Sequence, residues 1–377
     1  MHEELLLPAT SFNPLENYFP VLVWFPQYCK HPSIIRDAVA GVTVGVIAVL
    51  QSLSYATIVG VPPVHGLYTA FASLVPYVIL GSSPFLSTGP TAVMSIIVNG
   101  AVPQYWNGKG VDPTMRILLT QALAFCAGST QIIMGLCKLG KLIDLVSEPI
   151  IHSFTSASAI LIAGTQIDAI LGIPKCNPAK LLGPSHEGEE CLVYEIVYSI
   201  GSNISQVHAN TVAGSILSFG LLLLYKRVLV HRTIAVNFGP IVLMVLNMGL
   251  FYILESQFGV VDIDGKIVDA KLGIQMVGPI AVGLPSLSNP LLAIGSFRDV
   301  TRLYTAGITI AVVGFMEAMT IAKTMETQKP KVGNVNALNE LIALGHCNIV
   351  SSCFGGFPAT GRYVFEIIQF DFRFIRL

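Results

Sequence analysis

Apolar residues in this chain come in long uninterrupted windows, unlike the alternation of a half-buried strand or the narrow stripe of a surface helix. No Asp, Glu, Lys or Arg occurs over 38–108, and further charge-free windows cover 117–137, 150–167, 196–225, 233–254, 303–315 and 341–361. Several reach the ~20 apolar residues that a helix needs to cross the hydrocarbon of a bilayer. Dividing the windows at Gly and Pro predicts spans near 37–57, 65–81, 90–102, 115–137, 149–171, 208–228, 238–255, 301–323 and 337–354. Backbone groups cannot stay unpaired in hydrocarbon, so spans are helices or closed barrels, and windows without alternation select helices. The expected fold class is all-α, a polytopic membrane bundle.

Composition agrees with the pattern. Of 377 residues, 53% are hydrophobic and 11% charged, with mean hydropathy +0.69, which excludes an ordinary soluble domain. A net charge of −1 and the lack of a long basic run leave nothing for nucleic acid to bind. The dispersed cations instead orient the spans. With Arg36 at a cytosolic start, Lys138 and Lys141, then Lys226, Arg227 and Arg232, then Lys323, Lys329 and Lys331 all fall on the cytosolic side. Arg298 and Arg302 fall on the outer side, against that trend. Residues 1–35 carry Glu3, Glu4 and several prolines but no apolar core with a cleavage site, so a cytosolic N-terminal segment is expected.

The polar punctuation offers little catalytic chemistry. Cys176 and Cys191 share an expected outer loop, where a bridge and free thiols both remain open. Cys29, Cys126, Cys137, Cys347 and Cys353 lie in or beside apolar windows without histidines at metal-ligand spacing, so packing roles and no metal site are expected. Asn203-Ile204-Ser205 is a glycosylation sequon on the expected outer side. His65, His152 and His346 are isolated and read as packing residues. With no Ser/His/Asp constellation and no phosphate-binding glycine loop, neither an enzyme nor a cofactor is expected.

Two interruptions are more informative. Leu86-Ser87-Thr88-Gly89-Pro90-Thr91 precedes only a dozen apolar residues, too few to cross ~30 Å at ~1.5 Å per residue, and predicts a half-helix. Gly355-Gly356-Phe357-Pro358-Ala359-Thr360-Gly361 repeats the pattern near the other end. In transporters built from inverted repeats, such paired breaks aim helix ends at one site. Helix N-termini present unpaired N–H groups and partial positive charge, which suits an anion. The bland reading is that Gly/Pro breaks are simply frequent in membrane helices. Glu317 is an ionisable group inside a span, where charge is costly and usually functional.

These residues also carry a resemblance. Gln51-Ser52-Leu53-Ser54-Tyr55-Ala56, Pro62-Pro63-Val64-His65-Gly66-Leu67-Tyr68-Thr69, Gly81-Ser82-Ser83 and Gly89-Pro90-Thr91-Ala92-Val93 resemble the sulfate permease (SulP) solute-carrier family. Ser147-Glu148-Pro149-Ile150, Gly314-Phe315-Met316-Glu317-Ala318 and Asn339-Glu340-Leu341-Ile342-Ala343-Leu344-Gly345 are similar to its later motifs. The likeness covers about 20–361 and is greatest for the animal sodium-independent sulfate transporter branch.

The resemblance implies two inverted seven-helix repeats, core and gate domains over 36–361, and an anion held between the third and tenth half-helices. An elevator-like shift of the core would move it. By motif, Gln51 and Tyr55 line the site, Thr91 with Ala92 caps the third half-helix, Thr360 and Gly361 face it, and Glu317 serves proton coupling. Gln51 also has a bland reading, as an amide joining two helices. Expected partners are sulfate, chloride, oxalate or bicarbonate, the lipid bilayer and a second copy in a homodimer. The plasma membrane is the expected location, with an endolysosomal membrane as the alternative.

The pattern departs after Gly361. Where family members continue with a stretch similar to Ser-Phe-Ser-Arg, this chain has Arg362-Tyr363-Val364-Phe365-Glu366. Residues 362–377 therefore read as an atypical tail, and Arg362 is not expected to replace the family arginine, which lies several residues later. The second repeat reads as incomplete and the STAS domain as absent. Besides an anion transporter, the sequence allows a non-transporting subunit that joins longer homologues, or a nucleobase-type symporter of the same architecture.

Overall fold

The apolar windows become helices in the computed structural model, which describes residues 18–30, 34–83, 86–105, 112–140, 148–173, 193–229, 239–258, 283, 285–293, 297–328 and 335–363. In chain order these are α1 Val21–Lys30, α2 Ile34–Val59, α3 Pro63–Leu80, β1 Leu86–Gly89, α4 Ala92–Tyr105, α5 Pro113–Leu136 and α6 Glu148–Leu171. There follow α7 Val193–Ser202, α8 Ala209–Leu229, α9 Gly239–Phe258, α10 Phe297–Gln328, α11 Ala337–Cys353 and β2 Thr360–Tyr363, with 3-10 turns at Ile204–Gln206 and Pro290–Ala293. Among the described residues, four helical stretches are long and apolar enough to cross a membrane: Ala40–Val59, Pro63–Leu80, Pro113–Leu136 and Asp299–Glu326.

Local chemistry sets several boundaries. α3 and α5 both start with proline in the first turn, where the missing N–H costs nothing. α11 starts behind Asn336, whose side-chain oxygen accepts from the Leu338 and Asn339 amides at 3.0 and 3.5 Å. α4 has 14 residues, about 21 Å at roughly 1.5 Å per residue, which is short of a full span.

The chain divides into two compact units, one of residues 1–41, 48–154 and 283–366, the other of 42–47, 155–282 and 367–377. In the first, α11 packs against α5 and α3, and α10 packs against α5. The α5–α11 crossing depends on glycine. A Cβ on Gly128 would lie 2.6 Å from the Gly345 carbonyl oxygen, and one on Gly345 would lie 2.8 Å from that of Gly128. Small residues that let backbones approach this closely are a common basis of helix association in membranes. Met94, Leu119, Leu123, Ile310 and Phe357 fill one core, and Phe315, Met319, Leu341 and Leu344 fill a second.

In the second unit α8 packs on α9, and Ser218 Oγ donates to Asn247 Oδ1 at 3.1 Å. Ile216, Phe219, Leu224, Val245, Leu246 and Ile253 are exposed on these two helices, as hydrocarbon-facing helices require.

Two short strands modify the all-α expectation. β1 and β2 pair antiparallel in the register Leu86↔Tyr363, Ser87↔Arg362, Thr88↔Gly361 and Gly89↔Thr360. Each break leaves backbone N–H and C=O groups without helical partners, and the two extended segments satisfy each other. Cys176 and Cys191 lie outside the described residues.

Candidate functional site

The two breaks meet, and the site grows from their pairing. β1 delivers the chain through Pro90 to Thr91, and α4 begins at Ala92. The first hydrogen bond of that turn runs from the Ser95 amide to the Thr91 carbonyl at 3.0 Å. The Ala92 and Val93 amides precede it and, by helix geometry, have no intrahelical acceptor. Thr91 and Ala92 are buried, at 6% and 4% exposure. Thr91 Oγ1 donates to Glu317 Oε2 at 3.1 Å and accepts from the Met94 amide at 3.4 Å.

β2 approaches from the opposite side. Thr360, fully buried, donates its hydroxyl hydrogen to the Gly314 carbonyl of α10. Gly361 is required by space, since a Cβ there would lie 2.9 Å from the Ala318 Cβ and 3.0 Å from Leu86 Cδ2. Both threonine hydroxyls therefore have their hydrogens committed within the protein. The Ala92 and Val93 amides at the start of α4 are the groups here without an intrahelical acceptor.

Arg362, expected to begin an atypical tail, instead belongs to β2 and pairs with Ser87. Its side chain is 7% exposed, and neither Nη1 nor Nη2 has a hydrogen-bond partner among the described residues. The guanidinium lies against Gly89, where a Cβ would meet Cζ at 2.8 Å and one terminal nitrogen at 3.0 Å. Tyr55, half-buried on α2, packs against the core that contains Met94 and Phe357. Gln51, one turn earlier, is exposed.

Five of the expected site residues, Thr91, Ala92, Thr360, Gly361 and Glu317, thus gather around the β1–β2 pair. Arg362 is not among the expected site residues, because it lies several residues before the family's arginine register. The available signal was its place immediately after the Thr-Gly of the second break. His65 Nδ1 meets the Gly355 carbonyl oxygen of the second break at 2.6 Å, and His346 Nδ1 meets the Ile342 carbonyl oxygen one turn back on α11 at 2.8 Å.

Apolar helices around a paired set of chain breaks define a multi-pass membrane fold of the broken-helix kind. The solved structures agree. SLC26A9 matches with a TM-score of 0.74 at 21% identity, covering 94% of this chain and 53% of its own. The transmembrane domain of the cyanobacterial bicarbonate transporter BicA matches at 0.67 and 20%, covering 90% of this chain and 78% of its own.

The sequence profile of the sulfate permease family matches residues 34–370, and the chain belongs to that family. The match continues past Gly361. Relatives include prestin of Danio rerio, 28% identical over 93% of this chain and 46% of that protein. The sodium-independent sulfate anion transporter of Bos taurus is 28% identical over 94% and 56%, and the chloroplastic sulfate transporter 4.1 of Arabidopsis thaliana is 31% identical over 93% and 46%. The chain spans about half the length of these relatives. It is a member of a transporter family, not of an enzyme family.

Proposed function

We propose that the chain belongs to a secondary active anion transporter whose substrate is an oxyanion, sulfate first, held between the α4 N-terminus and Arg362. The observation that carries this reading is the Arg362 guanidinium, buried and without a hydrogen-bond partner among the described residues beside a helix start. A buried cation is expensive unless paired. A helix N-terminus and a guanidinium fork together suit the planar edge of an oxyanion, which accepts two parallel hydrogen bonds. Sulfate, oxalate and bicarbonate share that edge; chloride does not.

Exchange of sulfate for chloride, bicarbonate or oxalate is the expected mode, in a homodimer at the plasma membrane, with an endolysosomal membrane as the alternative. Two compact units of chain are what an elevator-like shift needs. Glu317 sits close enough to the site, through Thr91, to couple a proton to the anion. Tyr55 and Gln51 stand one turn apart on α2, where a passing anion meets a hydroxyl and then an amide.

The test is labelled-sulfate uptake into vesicles carrying the chain, with unlabelled sulfate, oxalate, chloride and uracil as competitors. Saturable uptake suppressed by sulfate and oxalate is the expected result. Suppression by uracil alone would replace the substrate with a nucleobase. Background uptake by correctly inserted protein that co-purifies with a longer homologue would make it a non-transporting subunit.

A further inference from the structure

Glu340 has no exposed surface, and none of its side-chain hydrogen bonds goes to a residue of the anion site. It stands in the first turn of α11. Its Oε1 accepts from the Ser82 amide at 2.8 Å, the Ser82 hydroxyl at 2.7 Å and the Ser83 amide at 2.7 Å. Its Oε2 accepts from the Tyr77 hydroxyl at 3.0 Å. All four groups can donate, with the single Tyr77 hydroxyl hydrogen shared between Oε2 and the Ser83 carbonyl oxygen at 3.3 Å. Two successive backbone amides and a hydroxyl form an anion-accepting concavity, and here a side chain of the protein fills it.

The place of that concavity matters more than its strength. Ser82 and Ser83 immediately precede the run into β1, and β1 carries Gly89 and leads to Thr91 and the start of α4. About two turns further along α11, Asn348 Oδ1 accepts from the Ala359 amide at 2.7 Å, the residue before β2. Asn348 Nδ2 donates to Gln131 Oε1 at 2.9 Å, and Gln131 Nε2 donates to the Ala311 carbonyl at 3.2 Å. One helix thus clamps the entry to both strands.

We propose that Glu340 is a positioning residue of the anion site, acting with Asn348 to fix the α4 N-terminus opposite Arg362. The proposal rests on the anion-transport reading and extends it to residues outside the binding site. A carboxylate is needed because Oε1 and Oε2 must both accept. A glutamine brings an NH₂ group against one set of these donors, so the run into β1 loosens while the apolar packing of α11 remains.

The test uses the full chain in liposomes, comparing wild type with Glu340→Gln and Ser82→Ala. Readouts are thermal unfolding, hydrogen exchange over 86–89 and 359–363, and the half-saturation and maximal rate of sulfate uptake. For Glu340→Gln, faster exchange in 86–89 and a rise in half-saturation of about tenfold are expected, with maximal rate unchanged. Ser82→Ala, which removes one donor, shifts both readouts the same way by less. If Glu340→Gln does not fold, Ser82→Ala decides alone. Unchanged half-saturation and exchange, or lowered stability with unchanged half-saturation, would overturn the proposal. Absence of saturable uptake by wild type would sink the transport reading instead, a failure visible without any variant.

Discussion

Among single residues, the proposed anion binding depends most on Arg362 and on Gly89, against which its guanidinium lies. Replacing Arg362 by Gln removes the charge and keeps a polar side chain, so sulfate half-saturation should rise by about ten- to a hundredfold, the size of a lost charge-assisted pair. Lys at this position restores charge but not the fork, so it should recover chloride competition better than oxalate competition. Gly89→Ala puts a Cβ 2.8 Å from the guanidinium carbon. Because the obstacle is the end of a flexible side chain, the fold should persist and the guanidinium should move. Sulfate affinity should then fall while the unfolding temperature stays near that of wild type. Thr91, Thr360, Gly361 and Glu317 were visible in the sequence because they sit in recognisable breaks and spans. What the hydroxyls donate to was not visible, since that depends on Gly314 and Glu317 of a distant helix.

At the scale of elements, the hydrophobic windows located the long helices well. The span expected near 115–137 is α5 Pro113–Leu136, and that near 337–354 is α11 Ala337–Cys353. Charge-free windows are set by the membrane's thickness, so they are readable without any knowledge of packing. The short elements escaped. α1 and α7 have 10 residues each, too few to register as spans, and α1 carries Pro26 inside it. β1 and β2 are four residues each, and their pairing joins residues far apart in the chain, such as Gly89 and Thr360. The α5–α11 crossing carries its own prediction. Gly128→Ala would press a Cβ against a backbone carbonyl that cannot rotate away, so it should lower stability by about 1–3 kcal/mol, read as a lower unfolding temperature in detergent. An unchanged temperature would mean that the helices separate freely at this point.

At the scale of the whole molecule, the helices, the paired breaks and the family membership support the proposal of a membrane carrier of anions. Proton linkage belongs at this scale because it concerns the transport cycle. Uptake by wild type should vary with pH, and Glu317→Gln should flatten that dependence; pH-independent uptake in both would remove the linkage. The proposed site holds an oxyanion between the α4 N-terminus and Arg362. Its most direct measurement is concentration-dependent uptake of labelled sulfate into liposomes carrying wild-type or Arg362→Gln protein, inserted to equal density. Saturable, oxalate-competable uptake is expected for wild type, with a strongly raised half-saturation concentration for the variant. Equal half-saturation in the two proteins would contradict it and place the anion elsewhere.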